Sequence, residues 1–160
     1  MFIVIMGVTG CGKTTVGRLL SAAIGWPFYD ADDFHSPANV RKMASGVSLT
    51  DMDRAPWLAE LRALIAERSG RGDNGVLACS ALKQSYRRTL STGASLVVVY
   101  LKAEADLIRS RLADRRGHYM PPRLIESQFL DLEEPEEAIT IPAAWPPERI
   151  VSAIRSQIGT

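Results

Sequence analysis

Residues 7 to 14 read Gly-Val-Thr-Gly-Cys-Gly-Lys-Thr and satisfy G-x-x-x-x-G-K-[ST] at every fixed position. Gly7, Gly10 and Gly12 let successive backbone N–H groups converge on one point, and a helix starting here adds free donors and the positive end of its dipole. Such a cradle suits a polyphosphate. Thr9, Cys11 and Thr15 complete the candidate nucleotide-binding set. Lys13 is expected to reach the β- and γ-phosphates of ATP, and the Thr14 hydroxyl to coordinate the accompanying Mg²⁺.

A second chemical group lies in Asp30-Ala-Asp32-Asp33. A carboxylate facing a γ-phosphate can orient an alcohol and take its proton during in-line transfer, although positioning supplies most of the catalysis. Asp32 is assigned to the substrate hydroxyl and Asp30 to the metal, through water. The structural alternative is an Asp-rich loop that only caps a helix. Many proteins with this cradle carry a metal-organising Asp after a later apolar strand, but Val76–Cys79 runs into Ser80-Ala81 without one. The sequence also lacks an N-K-x-D guanine-reading motif, which favours a kinase over a GTPase.

Arginines at 109, 111, 115 and 116 form a basic run. Arg111 and Arg115 stand i, i+4 and share a helix face before a glycine-containing loop that can close over a nucleotide, so 111–124 is the expected mobile lid. A planar guanidinium suits Arg111 stacking on adenine and Arg115 stabilising charge on the transferring phosphoryl group. A solvated helix face is the bland alternative.

These residues need a scaffold that brings them to one edge. Phe2–Met6 is an apolar β-rich run ending at the cradle, and Val16, Leu19, Leu20, Ala23 and Ile24 then follow helical spacing up to Gly25. Trp26–Tyr29 is a short second strand delivering Asp30, followed by a helix with Ser36 as N-cap and Pro37 at N1. Pro56 opens the next helix, with Trp57, Leu58, Leu61, Leu64 and Ile65 inward; Trp57 reads as core and not as a ligand platform. Val76–Cys79 and Leu96–Leu101 are continuous apolar runs of the kind buried in parallel sheets. Helices are expected over 82–90, 103–115, 123–130 and 148–158, with a last strand at 139–141. The alternation predicts an α/β fold, a doubly wound parallel sheet of about five strands flanked by helices.

The 160 residues, 46% of them hydrophobic, fit a single domain over 1–160. A net charge of +1 offers no global field for nucleic acid or a membrane surface, and no stretch approaches the ~18 apolar residues of a membrane span. Met1–Met6 is too short for a signal h-region and lacks a basic flank. Cys11 and Cys79 have neither a metal-ligand nor a disulfide spacing, so free thiols in a cytoplasmic setting are expected.

Beyond the cradle, several blocks resemble bacterial gluconokinases: Asp30-Ala-Asp32 with His35, Lys42-Met43 with Gly46, Leu49-Thr-Asp-Met-Asp-Arg-Ala-Pro-Trp-Leu58, Cys79-Ser-Ala-Leu-Lys83 with Tyr86-Arg87, Arg115-Arg-Gly-His118, and Ser127-Gln128 through Glu133 with Pro135. The resemblance covers nearly the whole chain, and the D-x-D-R-x-P-W-L and C-S-A-L-K blocks are its most specific parts. It implies ATP-dependent phosphorylation of D-gluconate to 6-phospho-D-gluconate, a P-loop kinase fold similar to shikimate and nucleoside monophosphate kinases, and a homodimer. The acceptor region falls at about 30–58. Arg54 is expected to bind the gluconate carboxylate, because its place resembles that of the acid-binding arginine of shikimate kinases. Lys83, Arg87 and His118 are secondary cations for it. Gln128 can pair with two hydroxyl groups, and His35 either contributes or only braces the Pro37 turn. Val47 and Ser48 depart from the family, which usually has an acidic or polar residue and then Pro there. Two alternatives remain: a shikimate-like or nucleoside monophosphate kinase, and a nucleotide-gated binding module without catalysis.

Overall fold

The computed structural model describes residues 1–115 and 121–160. Among these residues five strands, β1 (Phe2–Met6), β2 (Phe28–Asp30), β3 (Gly75–Ala78), β4 (Leu96–Lys102) and β5 (Ile139–Pro142), form one sheet in the order β2-β3-β1-β4-β5. Every pairing is parallel. Seven helices among the same described residues connect and flank them: α1 (Lys13–Ile24), α2 (Pro37–Ala44), α3 (Asp51–Gly70), α4 (Gln84–Ser91), α5 (Ala105–Ala113), α6 (Pro122–Asp131) and α7 (Pro147–Ile158).

β1 is central and wholly buried, and its period-two alternation sorts the core into two layers. Ile3 and Ile5 pack with Val16, Leu20, Ile108 and Ile154 on one face. Phe2, Val4 and Met6 pack with Trp57, Leu61, Ile65 and Leu90 on the other. The strands therefore deliver their carboxyl ends to a common edge. In open parallel sheets that edge holds the ligand crevice.

Local chemistry explains where the elements start and stop. Gly25 ends α1 in the left-handed conformation, and the Ser36 side chain caps α2 ahead of Pro37. One boundary and one helix face differ from the sequence expectation. Helix α3 begins at Asp51, five residues before Pro56, because Thr50 and Asp53 form a capping box. Pro56 sits in the second turn, where the carbonyl it leaves without an N–H partner belongs to Met52, which is 87% exposed and open to water. On α1, Leu19 faces solvent, while Gly17 is buried; a Cβ there would lie 2.6 Å from the Phe28 ring, so only glycine lets α1 press onto β2. Cys11 and Cys79 are free, as expected, and both are buried.

Candidate active site

At the end of β1 the chain turns through Gly7, whose φ is +146°; a Cβ there would lie 2.7 Å from Cys11 Sγ and 2.9 Å from the Leu101 carbonyl oxygen. Gly10 and Gly12 also have positive φ. Lys13 opens α1 and donates from Nζ to the Val8 carbonyl at 3.0 Å, which curls it back over the loop. Thr14 Oγ1 donates to Asp30 Oδ2 at 2.8 Å, and Asp30 Oδ1 accepts from the Asp32 backbone N–H at 3.1 Å. Asp30 thus ties the start of α1 to the short 3₁₀ turn Ala31–Phe34 and aims that turn at the cradle.

A cleft of about 120 Å³ opens here. Thr9, Gly10, Gly12, Lys13, Thr14 and Thr15 of the cradle line it together with Asp30, Asp32, Ser80 and Arg115. Asp32 keeps an exposed edge, but partial desolvation in the cleft, and then the Asp30 charge, push its carboxyl above the usual carboxylate range, with Lys13 and His35 opposing. His35 stacks on Trp57 at 4.5 Å, its Nδ1 has no partner among the described residues, and burial lowers its basicity. Trp57 is core, as the sequence indicated, donating from Nε1 to the Ala31 carbonyl at 2.7 Å. Burial pushes the Cys79 thiol up to about 12, so it is inert as a nucleophile.

Behind the cradle, a cavity of about 190 Å³ is walled by Gly10, Cys11, Thr15, Arg111, Arg115 and, from the C-terminal segment, Ala143, Trp145 and Pro147. Arg111 donates to the Cys11 carbonyl at 3.1 Å and to the Ala143 carbonyl at 2.6 Å, clamping the loop to that segment. Arg109 pairs with Asp106 on the solvent side of α5.

A third cavity, about 130 Å³, lies between α2, the start of α3 and α6, lined by Met43, Ser48, Leu49, Arg54, Leu124, Ser127 and Gln128. Arg54 Nη1 donates to Tyr86 Oη at 3.0 Å and approaches Asp131 Oδ2 at 3.4 Å. Lys83 pairs with Asp51 at 2.9 Å. Gln128 grips the cradle: its Oε1 accepts from the Thr9 N–H at 2.7 Å and its Nε2 donates to Thr9 Oγ1 at 2.8 Å. Arg87 stands apart from all three cavities. Its guanidinium is taken up by the Ala81, Leu82 and Glu133 carbonyls, where it braces the turn after β3. Ala81 in that turn has a φ of +43°, a strained conformation for a residue with a Cβ. Residues 116–120 of the expected lid, Arg116 and His118 among them, lie outside the described residues.

Sequence reasoning missed Tyr86 as the hydroxyl facing Arg54, and the roles of Ser48 and Ser127, whose hydroxyls meet at 2.8 Å across the third cavity. It also missed the Ala143 and Trp145 wall. Only the polar residue at 48, where a family proline was expected, hinted at the Ser48 contact.

A phosphate cradle closing β1, two carboxylates beside it in one cleft and a neighbouring cavity holding an arginine define a P-loop kinase. The shikimate kinase family matches residues 9–134. A probable gluconokinase of Mus musculus is 47% identical over 151 residues, spanning 83% of this chain and 82% of its own. The gluconokinase of Gluconobacter oxydans is 46% identical over 84% of this chain and 76% of its own. Among solved structures, a gluconokinase from Sinorhizobium meliloti superposes with a TM-score of 0.89 at 38% identity, covering 98% of this chain and 90% of that one. A shikimate kinase from Aquifex aeolicus shares the fold at 20% identity and a TM-score of 0.64. The chain belongs to the gluconokinase family, within the wider shikimate-kinase-like group.

Proposed function

We propose that this chain transfers the γ-phosphoryl group of ATP in line to the 6-hydroxyl of D-gluconate, giving 6-phospho-D-gluconate. The observation that carries the mechanism is the adjacency of two sites bridged by one side chain: Gln128 lines the cationic cavity and holds Thr9 of the cradle. ATP lies with its phosphates on the loop and its adenine in the cavity walled by Arg111 and Trp145. Lys13 leaves its Val8 contact to reach the β- and γ-oxygens. Arg115, which lines both the phosphate and the adenine cavities, meets the charge that develops on the transferred group.

Gluconate places its carboxylate against Arg54, with Lys83 nearby, and its hydroxyl chain along Ser48, Ser127 and Gln128 toward Asp32. Asp32 orients the 6-hydroxyl and takes its proton. Its raised pKa makes it a better proton acceptor than an ordinary aspartate. The donor set suits Mg²⁺, since Thr14 Oγ1 and Asp30 Oδ2 are hard oxygens in contact with each other, and this ion usually takes few protein ligands beside phosphate and water. Bound there with Thr14 direct and Asp30 through water, it would offset phosphate charge. The assignment further comprises a kinase domain over 1–160, with loop 7–14, acceptor region about 30–58 and lid about 111–124. A cytoplasmic homodimer acting on ATP and gluconate completes it.

Steady-state kinetics of Arg54→Ala test the acceptor assignment. The carboxylate is charged in ground and transition states alike, so KM for gluconate rises strongly while KM for ATP stays nearly unchanged. A raised ATP constant with gluconate spared would put Arg54 on the nucleotide side of the cleft.

A further inference from the structure

Resting on the reading of Arg54 as the carboxylate-binding group, we propose that Asp131 is a resident stand-in for the acceptor's carboxylate, and that a polyhydroxy acid binds by displacing it. Asp131 is the last residue of α6. Its two oxygens are divided between two cations, Oδ2 at 3.4 Å from Arg54 Nη1 and Oδ1 at 3.9 Å from Lys83 Nζ. Both separations exceed the roughly 2.7–2.9 Å of a tight charge-assisted contact. Each cation has a closer partner of its own: Arg54 has the Tyr86 hydroxyl at 3.0 Å, and Lys83 has Asp51 at 2.9 Å.

Tyr86 in turn donates to Asp51, so Asp51, Tyr86, Arg54 and Lys83 form a connected frame that does not need Asp131 to hold its shape. Arg54 uses Nη1 alone in these contacts, which leaves the rest of its fork for a carboxylate bound side-on. Its side chain is 15% exposed, so an empty site would leave a largely desolvated guanidinium with a neutral hydroxyl as its direct partner and the Asp51 carboxylate only behind it. A loosely held carboxylate on a neighbouring helix removes that penalty and yields to a ligand that offers the same group with better geometry.

A resident competitor reduces apparent affinity by the fraction of molecules in which the site is free; if Asp131 occupies the cations about nine-tenths of the time, the reduction is about tenfold. Removing its charge should therefore tighten gluconate binding. Asp131→Asn is expected to lower KM for gluconate by about 3- to 10-fold, with kcat within about twofold and the ATP constant unchanged. A residue that merely holds Arg54 in place would give the reverse, a higher KM. Glu126→Gln makes the same charge change on exposed surface of the same helix and should leave KM unaltered.

Unchanged or raised KM in Asp131→Asn overturns the stand-in, as does an equal fall in Glu126→Gln, which would mark a bulk charge effect. If Asp131→Asn does not fold, judged by its melting curve, Asp131→Ser removes the charge with a smaller side chain and carries the same expectation. Arg54→Ala separates the two levels. If it raises gluconate KM while Asp131→Asn fails to lower it, only the stand-in falls; if it leaves gluconate KM alone, the acceptor reading falls and takes the stand-in with it. In Arg54→Ala/Asp131→Asn the benefit of losing Asp131 should shrink, since the two act on one site.

Discussion

Asp32→Asn should make the protein slower and more stable at once, and the two effects come from the same charge. Asparagine keeps the size and one acceptor oxygen of Asp32 but can neither take a proton nor repel Asp30. General-base assistance is typically worth about 10²–10⁴-fold, or about 2.7–5.5 kcal/mol of barrier, and kcat should fall by that much with KM for ATP nearly unchanged. The stability effect follows from the raised pKa of this carboxyl in the folded chain. Burial and Asp30 make the native state hold the proton more tightly than the unfolded chain does. Ionising Asp32 therefore costs stability as pH rises past its unfolded value of 3.8, and the cost grows until pH passes the raised folded value. The substitution removes that cost, and each kcal/mol recovered would raise the melting point by about 2–4 °C in a domain of this size. Steady-state ADP release and thermal unfolding at pH 7 and pH 3.5 measure both sides. A near wild-type kcat would leave Asp32 only a loop-capping role. Lost ATP binding would move it to the metal and make Asp30 the base, and a lower melting point at pH 7 would refute the charge argument.

Three further outcomes follow from individual contacts. Lys13→Ala removes the charge that draws in the γ-phosphate, so kcat should drop more than tenfold, a loss above about 1.4 kcal/mol; retention of a tenth or more contradicts the role. Gly75→Ala would put a Cβ 2.5 Å from the fully buried Phe2 ring, and unfolding should show a loss of about 1–3 kcal/mol with little change in KM for either substrate. The Asp53 carboxyl is held down at about 2, first by the Lys42 ammonium and then by the Thr50 N–H. A depressed carboxylate stabilises above its unfolded value and loses that contribution as pH falls, so the melting point should decline between pH 4 and pH 2, and Asp53→Asn should flatten this limb.

The parts legible in the sequence are those whose cause is local. The cradle, the strand before it and the helix after it are written within residues 2–24, and the glycine stop at 25 and the Ser36-Pro37 start each follow from one or two residues. Weighing Pro56 above the Thr50–Asp53 capping box misplaces the start of α3, although the box is a local signal and the stronger one. What sequence could not give are contacts that only the folded sheet creates. Gln128 and Thr9 are 119 residues apart, and nothing in the spacing shows that the amide expected to read ligand hydroxyls also holds the cradle. Arg54 and Asp131 are 77 apart, and nothing in the spacing around either residue announces the pair. Arg87 carries the same charge as Arg54 and Lys83, but two carbonyls of the turn at Ala81 and the Glu133 carbonyl after α6 take up its guanidinium.

The central claim is that the cradle and Asp32 act together on an alcohol of gluconate. It is tested most directly by following ADP release from Mg·ATP with D-gluconate present or absent, and by locating the phosphate on the product by ³¹P NMR. The account predicts one ADP per gluconate consumed, product phosphorylated at the 6-position, and little release without acceptor. Acceptor-independent hydrolysis, or transfer to shikimate or a nucleoside monophosphate in preference to gluconate, would contradict it.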